Sequence, residues 1–221
     1  MRIFSNSKMN NQLLTDRNRR FRILSLFLGL TSLAILLAAC GAPRPIKYYQ
    51  LSYPMSAPSQ QPQINVSLLV RTFDTSVLYK DNRIVYATSP QELGLYEGQR
   101  WVVSPVEMLQ DSLIRGLRSS GHYRSVMGVR GEGGGDYSLS GNLYEFCEFD
   151  GPEIMARLNY VVRLRARKTG LIVWTHNYNH EEPAGAKTVP ALVTAMDKNV
   201  QRSVDDVAAG LADYFNANPP K

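Results

Sequence analysis

Chemistry in this chain has to come from three histidines, two cysteines and a knot of carboxylates. His176 and His180 are four residues apart, a spacing that on a helix brings two imidazoles onto one face as a metal pair. The segment from Leu171 to Asn179 alternates as a strand instead, and strand geometry sets both rings on one sheet face about 13 Å apart. With His122 they read as surface or rim histidines, so no metal site is expected. Glu145, Glu148, Asp150 and Glu153 gather near one turn. Paired carboxylates serve glycoside chemistry or a hard cation, but a strand edge and its turn fix no such geometry, and a solvated hairpin end is the reading. Glycines 131, 133, 134 and 135 lack the Lys-Ser/Thr of a phosphate loop and open no helix after a strand. They read as a loop tip. Ser104 is better used as a helix cap than as a nucleophile, and Cys147 reads as a small packed hydrophobe. No catalytic residue and no cofactor are expected.

Cys40 is the exception. It ends the run ILSLFLGLTSLAILLAAC, preceded by Arg17, Arg19, Arg20 and Arg22. The uncharged stretch Ile23–Ala39 spans roughly 25 Å as a helix, at the short edge of what crosses a bilayer. Small residues close it before the cysteine, as in an export signal. Leu37-Ala38-Ala39-Cys40 resembles a bacterial lipobox, which implies diacylglyceryl transfer to the Cys40 thiol, cleavage before it and acylation of the new amine. An uncleaved single-pass anchor is the alternative, and either one tethers the domain to a membrane outside the cytoplasm. Two or three acyl chains make such a tether stable where one does not.

Removing the leader changes the charge reading. Six of the 25 basic residues and one of the 19 acidic ones lie in the first 39 positions, which leaves 19 against 18, a net charge of +1. The basic balance of the whole chain therefore belongs to the targeting signal, and no nucleic-acid partner is implied. With Cys40 lipidated, Cys147 has no intramolecular disulfide partner.

The organisation expected is a signal peptide over 1–39, an acylated cysteine and a Pro/Ser/Gln-rich tether over 40–62, a folded domain over 63–217 and a tail over 218–221. Inside the tether, Ile46 to Leu51 is apolar and aromatic enough for a short strand or a clamp on the domain. Residues Ile64 to Phe73 predict a strand, and Ser76 to Tyr86 a small hairpin turning at Lys80-Asp81-Asn82. Ser89 to Gln99 reads as loop, and Trp101-Val102-Val103 as a brief extended piece. Ser104, Pro105 and Glu107 form a helix start with capping-box spacing, followed by an apolar stripe through Val106, Leu109, Leu113 and Leu117 and a stop at Gly121. Tyr123 to Val129 starts another strand. Three sequential antiparallel strands follow, Tyr137 to Phe149, Ile154 to Arg167 and Leu171 to Asn179. Glu181 to Lys187 reads as loop, and a long helix capped near Thr188 closes the domain. The fold class is α+β: a two-layer domain, an antiparallel-rich sheet with two helices packed on one face.

The middle strand of the three sorts cleanly. Ala156, Leu158, Tyr160, Val162, Leu164 and Ala166 share one face; Arg157, Asn159, Val161, Arg163, Arg165 and Arg167 share the other. The arginines fit a solvated face with cross-strand acidic partners, a docking surface for an acidic protein, or contact with lipid headgroups. Tyr79, Tyr86 and Tyr96 fit core packing and an aromatic contact surface equally.

Three segments together resemble a known family: Tyr48-Tyr49-Gln50-Leu51 just after the lipobox; Leu78 to Tyr86 followed by Gln99-Arg100-Trp101; and Thr169 to Trp174 ahead of Glu182-Pro183. Their order over roughly residues 46–216 resembles the ABC-type transport auxiliary lipoproteins, the PqiC-like family that accompanies MCE-type lipid transport systems. The matched positions are Tyr49, Arg83, Tyr86, Trp101, Trp174 and Pro183, though tryptophans are core or rim residues in any domain. The resemblance implies a non-enzymatic periplasmic lipoprotein whose partner is an MCE-domain substrate-binding protein tied to a permease and ATPase. It also implies a compact α+β domain that in some relatives assembles as a homo-oligomeric ring. Gly41, where a retained inner-membrane lipoprotein of the enterobacterial type carries Asp, favours the outer membrane. Two other functions fit the same residues: a structural envelope lipoprotein stabilising an outer-membrane assembly or secretion complex, and an enzyme acting on envelope lipid or glycan.

Overall fold

The computed structural model describes residues 45–52, 64–129 and 134–220. The leader, Cys40, most of the tether and Gly131–Gly133 lie outside these residues. Among the described residues no helix is long and apolar enough to cross a membrane.

In chain order the elements are β1 (Lys47–Tyr49), β2 (Ile64–Arg71), β3 (Asp74–Thr75), α1 (Val77–Lys80), β4 (Arg83–Ser89), β5 (Glu92–Trp101), α2 (Pro105–Ser119), β6 (Tyr123–Val129), β7 (Tyr137–Asp150), β8 (Ile154–Ala166), β9 (Ile172–Pro183) and α3 (Val189–Ala217). The sheet is organised on β7. β8 lies antiparallel along one of its edges for the full length, and β9 pairs antiparallel with β8. The other edge of β7 is divided. Its first residues take β2 in parallel, its middle takes β3, and its last residues take β4 in parallel. β6 extends the β2 side, while β5 and then β1 extend the β4 side. The result is a mixed sheet whose longest ladders are antiparallel, with α2 and α3 on one face.

Local sequence explains the helices. At the start of α2 the Ser104 backbone N–H and hydroxyl both donate to Glu107 Oε2, at 3.3 and 2.9 Å, and Pro105 occupies the first turn, where its missing N–H costs nothing. The chain leaves α2 through Gly121 at φ +66°, a conformation that favours glycine. α3 starts with the Thr188 hydroxyl accepting from the Ala191 N–H at 3.3 Å. Its 29 residues make it about 43 Å long, enough to cover β8 and β9. Leu192, Met196, Val200, Val204, Val207, Leu211 and Phe215 are its buried stripe.

Three sequence expectations are corrected. Val77-Leu78-Tyr79 is a single helical turn rather than the first arm of a hairpin. It plugs the divided edge of β7: Tyr79 is buried against Phe146 and Cys147, and apolar patterning cannot separate one buried turn from a strand. The hairpin forms one step later, between β4 and β5, so Ser89 to Gln99 is largely strand. Its pattern is weak because β5 is half-exposed along most of its length and carries Gly94, over which the Tyr86 ring lies. Finally, β9 runs on to Pro183 rather than ending at Asn179, since β8 supplies partners down to Met155. The sheet also takes in Lys47–Tyr49, upstream of residue 63.

Candidate docking surfaces

The two faces of β8 part as the alternation predicts. Ala156, Leu158, Tyr160, Val162 and Leu164 are fully buried under α3. The tie is polar as well as apolar. Asn199, wholly buried on α3, donates through Nδ2 to the Ala156 carbonyl at 2.9 Å and the His180 carbonyl at 3.0 Å, and its Oδ1 accepts from the Tyr178 hydroxyl at 2.7 Å. One side chain thus staples the helix to two strands. The Tyr160 hydroxyl adds a bond to the Ser203 carbonyl at 3.2 Å.

The opposite face is graded in charge and open toward the Arg165 end, while Val161 on it is buried. At one end Arg157 Nε meets Glu181 Oε1 at 2.7 Å, and its guanidinium lies 3.6 Å from the centroid of the Phe149 ring. Further along, the partners become neutral. Arg163 donates to Asn142 Oδ1 at 2.9 Å, and Arg165 donates to the Gly170 carbonyl. Arg165 and Arg167 are exposed, beside Lys168 in the turn. Register puts Thr175 and Asn177 of β9 and Ser138, Ser140 and Asn142 of β7 on the same face. This surface is therefore polar, and positive toward the β8–β9 turn.

The tyrosines separate. Tyr79 is core, and burial raises its hydroxyl well above the ordinary value. It hydrogen-bonds Cys147, whose thiol burial pushes up to about 12; a thiol so placed stays protonated and unreactive. Tyr86 and Tyr96 are half-exposed and meet edge to face at 5.2 Å. The Tyr96 hydroxyl donates to Glu148 Oε1 at 2.9 Å, and burial holds the Glu148 carboxyl above its usual range. Glu148, 4% exposed, is thus buried and bonded rather than part of a solvated hairpin end. Glu145 pairs opposite Asn159 and Glu148 opposite Ala156, so the two carboxylates project from opposite sheet faces.

The remaining matched positions sit where the fold needs them. Arg83 chelates Asp81 through Nε and Nη2; Trp101 is buried edge-to-face on Phe146; Tyr49 pairs with Trp101 across β1 and β5. Trp174 packs over Gly210 of α3 and stacks on His176 at 5.7 Å. Pro183 closes β9 opposite Met155. His180 meets Arg202 and, at 3.5 Å, Glu182. Among the described residues no group of three or more His, Cys, Asp or Glu is placed to hold a metal ion.

Fold and surfaces define an α+β domain that presents charged and aromatic faces. The family model for the ABC-type transport auxiliary lipoprotein component matches residues 49–208, and the chain belongs to that family. It is accordingly a lipid-anchored periplasmic protein of the cell envelope with a transport-associated, non-enzymatic role. No curated protein matches. Among solved structures the chain is similar to protein XCC0632 from Xanthomonas campestris, at 20% identity and a TM-score of 0.66, covering 75% of this chain and 94% of that one. It is also similar to an uncharacterized protein at 16% identity and a TM-score of 0.60, covering 76% and 99%. At these identities both likenesses concern the fold.

Proposed function

We propose that this chain is the auxiliary lipoprotein of an MCE-type lipid transport system, anchored through acylated Cys40 to the outer membrane and docked on the MCE-domain substrate-binding protein. The observation that carries the reading is the family match, which runs from the last residue of β1 into α3 and so takes in β2 to β9, α2 and most of α3. The open face of β8 is the docking surface within it. Arg163 and Arg165 hold neutral acceptors, so an acidic partner gains two charge-assisted contacts without first breaking an internal ion pair. Arg167 extends the same positive end. Tyr86 and Tyr96 form a separate aromatic contact, of the residue type that anchors interfaces.

The test is capture of the full-length lipoprotein from gently crosslinked native membranes, beside a Cys40→Ser chain that cannot be acylated. Recovery of an MCE-domain protein, weakened in the control, supports the reading. Recovery of an outer-membrane assembly or secretion complex in its place, with lipid distribution unchanged on depletion, makes the chain a structural envelope lipoprotein.

A further inference from the structure

The exposed apolar residues of the domain include one cluster at a place that chain length ties to the anchor. Ile46 and Tyr48, on β1, are 45% and 58% exposed; Val102 and Val103, just beyond β5, are 51% and 39% exposed. The β1–β5 ladder joins them. Tyr48 pairs opposite Arg100, and the Val102 N–H donates to the Tyr49 carbonyl at 2.8 Å. Val102 and Val103 then form one wall of an open cleft of 640 Å³ that Gln50 and Leu51 also line. Single exposed apolar residues need no explanation, but four of them along one short ladder and its end call for an occupant.

Sequence distance indicates the occupant. Ile46 is six residues after Cys40. A fully extended chain covers at most about 3.6 Å per residue, so Ile46 stays within roughly 22 Å of the acylated sulfur whatever path the chain takes. With the lipid-bearing cysteine at the headgroup level, that reach keeps this corner close to the bilayer. The chemistry agrees. Tyrosine is amphipathic and suits the membrane interface. Lys47 flanks the cluster and Arg115 lines the cleft, cations of the kind that suit headgroup phosphates; Arg100, opposite Tyr48, is held by Asn82 Oδ1 at 3.1 Å. Acidic groups nearby include Glu97, exposed on β5 two residues before the partner of Lys47, Asp111, in the cleft wall, and Asp197, whose carboxyl burial holds above its usual range and which bonds Gln201 and the Ser52 backbone.

We infer that the corner built from Ile46, Tyr48, Val102 and Val103 lies against the bilayer surface beside the anchor and fixes the orientation of the domain on the membrane. The inference rests on the lipid anchor at Cys40 and names a second contact, through the protein's own side chains. A short acyl tether without it would leave the domain free to tumble.

The test uses the full-length acylated protein reconstituted in vesicles of phosphatidylethanolamine and phosphatidylglycerol. Val102→Cys, Tyr48→Cys and Asn177→Cys variants each carry an environment-sensitive fluorophore; Cys147, 3% exposed, is shielded from labelling. All three proteins should float with the vesicles. Labels at 48 and 102 should shift to the blue and be quenched by lipids brominated on their acyl chains, while the label at 177, on the exposed side of β9, keeps aqueous emission. Flotation with unquenched labels at both 48 and 102 overturns the surface contact and leaves the anchor standing. Failure to float overturns anchor and contact together.

Discussion

The two faces of β8 are built from alternate residues of one strand, yet they are held by different forces. The covered face is decided by shape and by hydrogen bonds that have no access to water, with Asn199 joining α3 to β8 and β9 at once. The open face is decided by charge in contact with solvent, where Arg157 has an ion pair and a ring contact and Arg163 and Arg165 have neutral acceptors. Stability should therefore reside on the first face and recognition on the second. A side chain lost from the covered face leaves buried groups unsatisfied; one lost from the open face leaves water in its place.

The sharpest break in that contrast is Asn199→Ala. It takes the Asn199 amide from two backbone carbonyls and removes the shorter of the two acceptors of the Tyr178 hydroxyl, and should lower unfolding free energy by about 3 kcal/mol in a urea titration. Arg157→Ala comes next. It removes a half-shielded ion pair and the contact with Phe149, and should cost about 1 kcal/mol. A double-mutant cycle with Glu181→Ala separates the two contributions.

Two carboxyls then give opposite pH signatures. Backbone and side-chain hydrogen bonds from Ser67, with Arg124 beside it, hold Asp136 below its ordinary value. Its contribution is present above the unfolded value and is lost as pH falls through the folded one. Burial raises Glu148, so its destabilising effect is absent at pH below 4.5 and grows as pH rises through the folded value. Glu148→Gln keeps an acceptor for Tyr96 and should raise the melting temperature at pH 7 with no gain at pH 4. Asp136→Asn should lower it at pH 7 and converge with the parent at low pH.

The smallest stability effect is expected from Arg163→Glu combined with Arg165→Glu, within about 0.5 kcal/mol of the parent. The same pair should show the largest loss of partner capture. A pair that unfolds the domain instead would erase the division between the faces.

Much of this arrangement is legible in the sequence because its signals are local. The capping box at Ser104–Glu107, the long stripe of α3 and the alternation of β8 each declare themselves within one element. The parts that are not legible depend on neighbours. Val77-Leu78-Tyr79 carries strand-forming residues but has a gap in the edge of β7 to fill, and β5 hides its strand in glycines and half-exposed positions. The partner of Arg157 could not be read because Glu181 reaches it only when β9 continues past Asn179. The burial of Glu148 required Tyr96, which stands 52 residues away. The arginine row itself was visible; its gradation from an ion pair to neutral acceptors was not.

The most direct measurement places a photo-crosslinking amino acid at position 165, and as a control at position 205, exposed on α3 across the sheet, in the full-length acylated protein in native membranes. A crosslink from position 165 to an MCE-domain protein is expected, reduced when Arg163 is changed to Glu and weak from position 205. A crosslink from position 165 to a component of an outer-membrane assembly or secretion complex, with none to an MCE-domain protein, would contradict it.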